Sequence, residues 1–203
     1  MRAQAHTLEA VTAAILILGA VVFALQITAV TPLSASTSSQ HIENQLAATS
    51  DGVLTSTEES GALRRAVLYW DEPQAQFHGA DGGPYYTNDE AIDNTTFGRR
   101  LVEAFADRSI AFNVRIFYRT PGGMDDIRFV YRGEPSDNAV TVTRMLTLYD
   151  DDVLYADDPS DGVMVALPTE QNVSSAPSFY APDVASGSGV YNVLRVEVVV
   201  WRM

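Results

Sequence analysis

The sequence contains no cysteine and no lysine. Without cysteine there is no disulfide framework, thiolate zinc site, iron–sulfur cluster or cysteine nucleophile. Without lysine, a P-loop, a Schiff base and pyridoxal-phosphate chemistry drop out as well. All 13 basic residues, from Arg2 to Arg202, are arginines, set against 26 acidic residues for a formal charge of -13. Nucleic acid is not an expected partner, because a surface this acidic repels phosphate.

The missing lysine is itself informative. If arginine and lysine were used equally, a set of 13 basic residues would be all arginine only about once in ten thousand cases, against ordinary mixed usage. Something systematic has removed lysine. A GC-rich genome favours arginine codons, and an acidic, lysine-poor surface suits very concentrated salt. There the Debye length shrinks to roughly 3 Å, which screens carboxylate repulsion while carboxylate hydration preserves solubility.

Charge is also missing from one long stretch. Residues 11–30, VTAAILILGAVVFALQITAV, carry none, and twenty residues at ~1.5 Å each span about 30 Å, a bilayer core. This predicts a membrane-spanning helix, longer than the h-region of a cleaved signal, with Pro32 ending the apolar run. Cleavage near Ser34 and Ser36 is the alternative. Arg2 precedes the run and no arginine follows it before Arg64, so the positive-inside rule puts the N-terminus in the cytoplasm and the remainder outside. The sequons at Asn94 and Asn172 suit glycosylation of an external domain.

Beyond Pro32, a Ser/Thr-rich stretch leads into Ile42, Leu46, Thr49 or Ser50, Val53 and Leu54, the spacing of an amphipathic helix reaching about Glu59. Gly61 breaks it. Residues 71–93 read as loop. Thr95 or Thr96 caps a helix through Asp107 with Phe97, Leu101, Val102 and Phe105 on one face. Strands follow at residues 110–118 and 127–132, joined by the turn Pro121-Gly122-Gly123, then around Val140 to Leu148, at 163–167, and at 190–202 with valines on both faces. The predicted fold class is α+β: a long N-terminal helix followed by an antiparallel sheet with helices on one side. A head of this size can bury a core without disulfides.

Catalytic constellations are thin, and no catalytic residue, metal or cofactor is expected. Asp150, Asp151, Asp152, Asp157, Asp158 and Asp161 form the densest charge run. Several could bind Ca²⁺ if the loop wrapped back on itself, but Pro159 and Pro168 break the EF-hand template and a solvated loop is the better reading. His6, His41 and His78 are too scattered for a three-histidine site. Ala185-Ser186-Gly187-Ser188-Gly189 lacks the first glycine of a nucleophile elbow and reads as a flexible linker. Trp70, Tyr85 and Tyr86 are candidates for an exposed recognition surface, although aromatics of this kind more often belong to a core.

What precedes the apolar run is more specific. Arg2-Ala3-Gln4-Ala5-His6-Thr7-Leu8-Glu9 places a cation, small and polar residues and one carboxylate directly before the helix. It resembles a class III, prepilin-type signal, in which a prepilin-type peptidase cuts before the apolar stretch and leaves it in the mature protein. The archaeal form of that signal implies a cut between Ala3 and Gln4, the bacterial form one between Gln4 and Ala5. Glu9 would then pair with the N-terminal amine of a neighbouring pilin-like subunit, since a lone carboxylate is costly beside an apolar helix. The other reading of Glu9 is a hydrated interfacial residue.

Carried by residues 4–45, the chain resembles an uncharacterised family of haloarchaeal membrane-anchored proteins with pilin-like N-termini. The resemblance implies a short cytoplasmic leader at residues 1–10, a transmembrane helix at 11–31, an amphipathic stalk helix at 32–60 and an extracellular α+β head at 61–203. It implies a non-enzymatic surface component that is pilin-like or pseudopilin-like. The alternative is a membrane-tethered binding module that does not assemble into filaments.

Overall fold

The computed structural model describes the backbone of residues 2–157 and 166–203 and the side chains of residues 6–25, 40–106, 108–156 and 167–203. The chain divides into two units, Met1–Asn44 and Gln45–Met203. Helix α1 (Arg2–Glu59) runs on through Pro32; its residues 2–44 belong to the first unit and its residues 45–59 to the second.

In the second unit, α1 buries Leu46, Ser50, Leu54 and Thr57, a stripe at helical spacing. The two buried hydroxyls are satisfied within the helix: Ser50 donates to the Leu46 carbonyl at 2.8 Å and Thr57 to that of Val53 at 2.7 Å. Gly61 then takes a left-handed conformation, φ 71°, which ends α1 and opens α2 (Ala62–Val67). A residue without Cβ adopts that turn at no steric cost.

The centre of the unit is a four-stranded antiparallel sheet. Its strands are β3 (Ile110–Thr120), β4 (Gly123–Val130), β5 (Val140–Tyr149) and β8 (Val190–Arg202), in the order β4-β3-β8-β5. The last strand of the chain therefore enters the middle of the sheet, and the link from β4 to β5 must pass two strands. Alternation sets the inner face: Phe112, Val114 and Ile116 lie opposite Val200, Val198 and Val196 and are buried. On the outer face Arg115 lies opposite Glu197, and Phe117 opposite Arg195. There the guanidinium groups of Arg115 and Arg195 sit 4.9 and 4.2 Å from the Phe117 ring.

Helices cover the inner face. In α4 (Thr96–Phe105), Thr95 caps the first turn by accepting the Gly98 N–H at 2.9 Å. Its buried Phe97 and Phe105 meet Phe129 and Phe112 of the sheet. Arg144 of β5 reaches the end of α1, pairing with Asp51 at 2.9 Å and Glu58 at 3.3 Å. The α+β class follows directly from this arrangement.

Two small hairpins complete the head, and neither is evident in the sequence pattern. β1 (Trp70–Asp71) pairs with β2 (Gln76–Phe77) inside the stretch expected to be loop, which also holds the short helix α3 (Asp89–Ile92). β6 (Val153–Asp157) pairs with β7 (Ala166–Asn172). The expected strand at residues 163–167 lies largely outside the described residues, and β7 extends beyond it. β4 begins at Gly123, earlier than its hydrophobic residues suggest, because the tight turn lets pairing start immediately at Thr120.

Aromatic rings join these parts. Phe77 contacts Trp70, Tyr86, Phe129 and Tyr180 with centroids 4.9 to 6.2 Å apart. The polar tips of the rings go to loop carbonyls: Tyr86 Oη donates to His78 O at 2.7 Å, Tyr191 Oη to Ala181 O at 2.8 Å, and Trp70 Nε1 to Ser178 O at 3.1 Å. Burial pushes both tyrosine hydroxyls above their ordinary pKa, with help from the Asp81 carboxylate for Tyr86 and from Asp183 and Asp150 for Tyr191, which reaches about 12. Both therefore stay protonated and able to donate.

Candidate functional site

The most distinctive surface is in the first unit. His6–Leu25 forms a 20-residue helical span of mean hydropathy 2.4 with none of its surface buried. Leu16, Phe23 and Ile17 are 73, 66 and 65% exposed. Such a helix is long and apolar enough to cross a bilayer, and it is apolar all round, unlike an amphipathic helix on a core.

Glu9 is the acidic residue inside this span. It is exposed, and His6 lies one turn away with Nδ1 3.7 Å from its carboxylate. Thr12 spends its hydroxyl on the Leu8 and Glu9 carbonyls at 2.9 and 3.0 Å, so it adds no free donor to the apolar surface. Ala3, Gln4 and Ala5 are in the first turns of α1, and their side chains lie outside the described residues.

In the head, two of the three candidate recognition aromatics follow the core reading. Trp70 and Tyr86 are buried, at 3 and 0% exposure, and serve the core. Tyr85 is half-buried, packed edge-on against Tyr131 at 6.2 Å with the Arg128 guanidinium 5.7 Å from its ring. The structure thus removes two of the three from any surface.

Asn94 and Asn172 are both half-buried. Asn172 caps a single turn, Val173–Ser175, by accepting the Ser175 N–H at 3.1 Å, and Ser174 of its sequon donates to the Asp150 carbonyl at 2.8 Å. Asp152 is held by Arg64, which also donates to Thr147 O at 2.8 Å, and Asp152 accepts the Tyr149 N–H at 2.8 Å. Among the described residues no three acidic, histidine or cysteine side chains are grouped as metal ligands, while Asp158 and Asp161 lie outside them. His41 is exposed. His78 is half-buried, 3.9 Å from Asp71; burial lowers its pKa, and the Asp71 carboxylate opposes that shift. Residues 185–189, read as a flexible linker, form a hydrogen-bonded turn instead. Asp183 accepts from Ala185 N and Ser186 Oγ at 2.9 Å, and Ser188 N donates to Ala185 O at 2.9 Å.

One site has no counterpart in the sequence reading. A cavity of about 450 Å³ is lined by Ser56, Thr57, Ser60, Arg65, Thr96 and Arg100. The end of α1, α2 and the start of α4 each contribute. Two guanidinium groups thus meet four hydroxyls in a chain whose net charge is -13. No motif signals it, because the two arginines lie on different helices and each resembles an ordinary surface cation.

Residues 2–200 match a family of unknown function, DUF7288, and the chain belongs to that family. No curated protein and no solved structure matches it.

Proposed function

We propose that this protein is a membrane-anchored surface component, pilin-like or pseudopilin-like, and not an enzyme. The observation that carries the reading is α1: its His6–Leu25 portion is apolar on every side, and its last turns belong to the core of an α+β head. In this reading the N-terminus is cytoplasmic and the head faces outward into concentrated salt, as in haloarchaea. A prepilin-type peptidase removes the residues before Gln4 or Ala5. Glu9 then meets the amine of a neighbouring subunit, which neutralises a carboxylate that is costly in an apolar setting.

Mass spectrometry of the mature N-terminus tests processing: a chain beginning at Gln4 or Ala5 supports the reading, and one beginning at Met1 or near Ser36 defeats it. Glu9→Ala is expected to spare membrane insertion and to abolish assembly in electron micrographs of surface filaments. Normal filaments from that variant would sink the assembly role. A second reading, a tethered binding module that does not assemble, is favoured by the arginine-lined cavity of the head.

A further inference from the structure

We infer that the cavity between α1, α2 and α4 binds a small polyol bearing one anionic group, such as an acidic sugar residue or a glycerol phosphate. Ser56 Oγ donates to Val53 O at 3.1 Å, Thr57 Oγ1 to Val53 O at 2.7 Å and Ser60 Oγ to Thr57 O at 3.3 Å. These three hydroxyls have committed their hydrogens to the backbone of their own helix end. What they offer a ligand is an oxygen acceptor.

The donors come from the two arginines. Arginine has five N–H groups and no acceptor. Arg65 uses one N–H on Ser60 O at 3.3 Å, and Arg100 pairs along α4 with Glu103 at 3.1 Å. The second pair is more than half exposed at both ends, so little is lost when Arg100 turns to a better partner. The cavity therefore brings guanidinium donors and hydroxyl acceptors into one lining, with no carboxylate or large apolar side chain among its residues.

Each simpler ligand leaves half of this set unused. A bare oxyanion accepts from the arginines but has nothing to donate to the hydroxyl oxygens. A neutral polyol does the reverse: it donates to those oxygens but brings no negative charge to the two guanidinium groups. A polyol with one anionic group satisfies both, and the volume of about 450 Å³ falls within the usual range for small-molecule sites. The site also overcomes a general handicap, since an acidic chain repels anions everywhere except where arginines are concentrated.

The test is titration calorimetry on the full chain in a polyoxyethylene detergent, at constant ionic strength, with glucuronate, glycerol 1-phosphate, glucose and inorganic sulfate. Glucuronate or glycerol phosphate should bind more tightly than both glucose and sulfate, and the tighter of the two identifies a saccharide or a lipid headgroup as the source. Arg65→Gln should weaken that ligand by about tenfold, the scale of one charge-assisted hydrogen bond. Ser56→Ala alters an exposed position, and should weaken the polyol by about threefold while leaving sulfate unchanged. Circular dichroism and urea unfolding establish that each variant is folded. Sulfate binding as tightly as the polyol anions, no binding of any of the four, or full affinity in folded Arg65→Gln would each overturn the proposal.

Discussion

The span His6–Leu25 and the head Gln45–Met203 place the same kinds of residue in opposite situations. In the span, Leu16, Leu18 and Phe23 are 73, 64 and 66% exposed; in the head, Leu54, Leu63 and Phe77 are fully buried. The head covers its apolar side chains from its own chain, whereas the apolar side chains of the span are left exposed by the described residues. Charge divides the same way. Glu9 is the acidic residue in the span, while the head's arginines are tied to partners such as Asp152, Asp126, Asp51 and Glu58. The two units therefore differ in how their apolar surface is covered, and substitutions should separate them.

The largest effect is expected at Phe77, where four aromatic neighbours converge. Phe77→Ala should destabilise the head by about 3–5 kcal/mol, the usual cost of emptying a core aromatic site. Urea unfolding followed by tryptophan fluorescence reads this directly, because Trp70 lies 5.2 Å from Phe77. Membrane association of the same variant should be unchanged. Loss of both together would mean that the two units are not independent.

Leu16→Arg makes the converse break. A charge near the middle of a spanning helix costs about 2.5–3.5 kcal/mol of insertion free energy. The variant should leave the membrane fraction in carbonate extraction, while its urea midpoint stays at the parental value because Leu16 makes no buried contact. A shifted midpoint would contradict the division.

The smallest effect concerns pH and belongs to the head alone. The pKa of His78 is lower in the fold than its unfolded value of 6.5, so between the two values the unfolded chain binds more protons. Its contribution is fully present above pH 6.5 and is lost as pH falls through the lower folded value. Unfolding midpoints at pH 7.5 and 5.5 should differ less in His78→Gln than in the parent. An equal pH response in both proteins would remove His78 from the account.

Much of the head was legible where the signal is local. Pro121-Gly122-Gly123 between two alternating runs marks the β3–β4 hairpin, and Thr95 before Phe97 and Leu101 marks α4 with its cap. The hairpins β1–β2 and β6–β7 were not legible, because strands of two to seven residues are held by partners outside themselves. Tyr155 N, for instance, donates to Leu68 O at 2.9 Å. Residues 71–93 read as loop because of their glycines and prolines, which left Trp70 and Tyr86 as candidates for a surface as well as for a core, yet the sheet and the segment around Tyr180 close over their rings. The turn at 185–189 misled in the same way, since its order comes from Asp183 and from Val184 N bonding to Tyr191 O.

The sequence alone determined a helical segment long and apolar enough to cross a bilayer, the acidic lysine-free character and the α+β class. Each rests on residues adjacent in the chain, where hydropathy, charge and periodicity act over a few turns or strands. Only the tertiary structure decided which aromatics are core and that Arg65 and Arg100 share a cavity with hydroxyls from α1. Those facts depend on how separate elements pack, because burial and proximity between distant residues arise only when side chains from several elements fill one space.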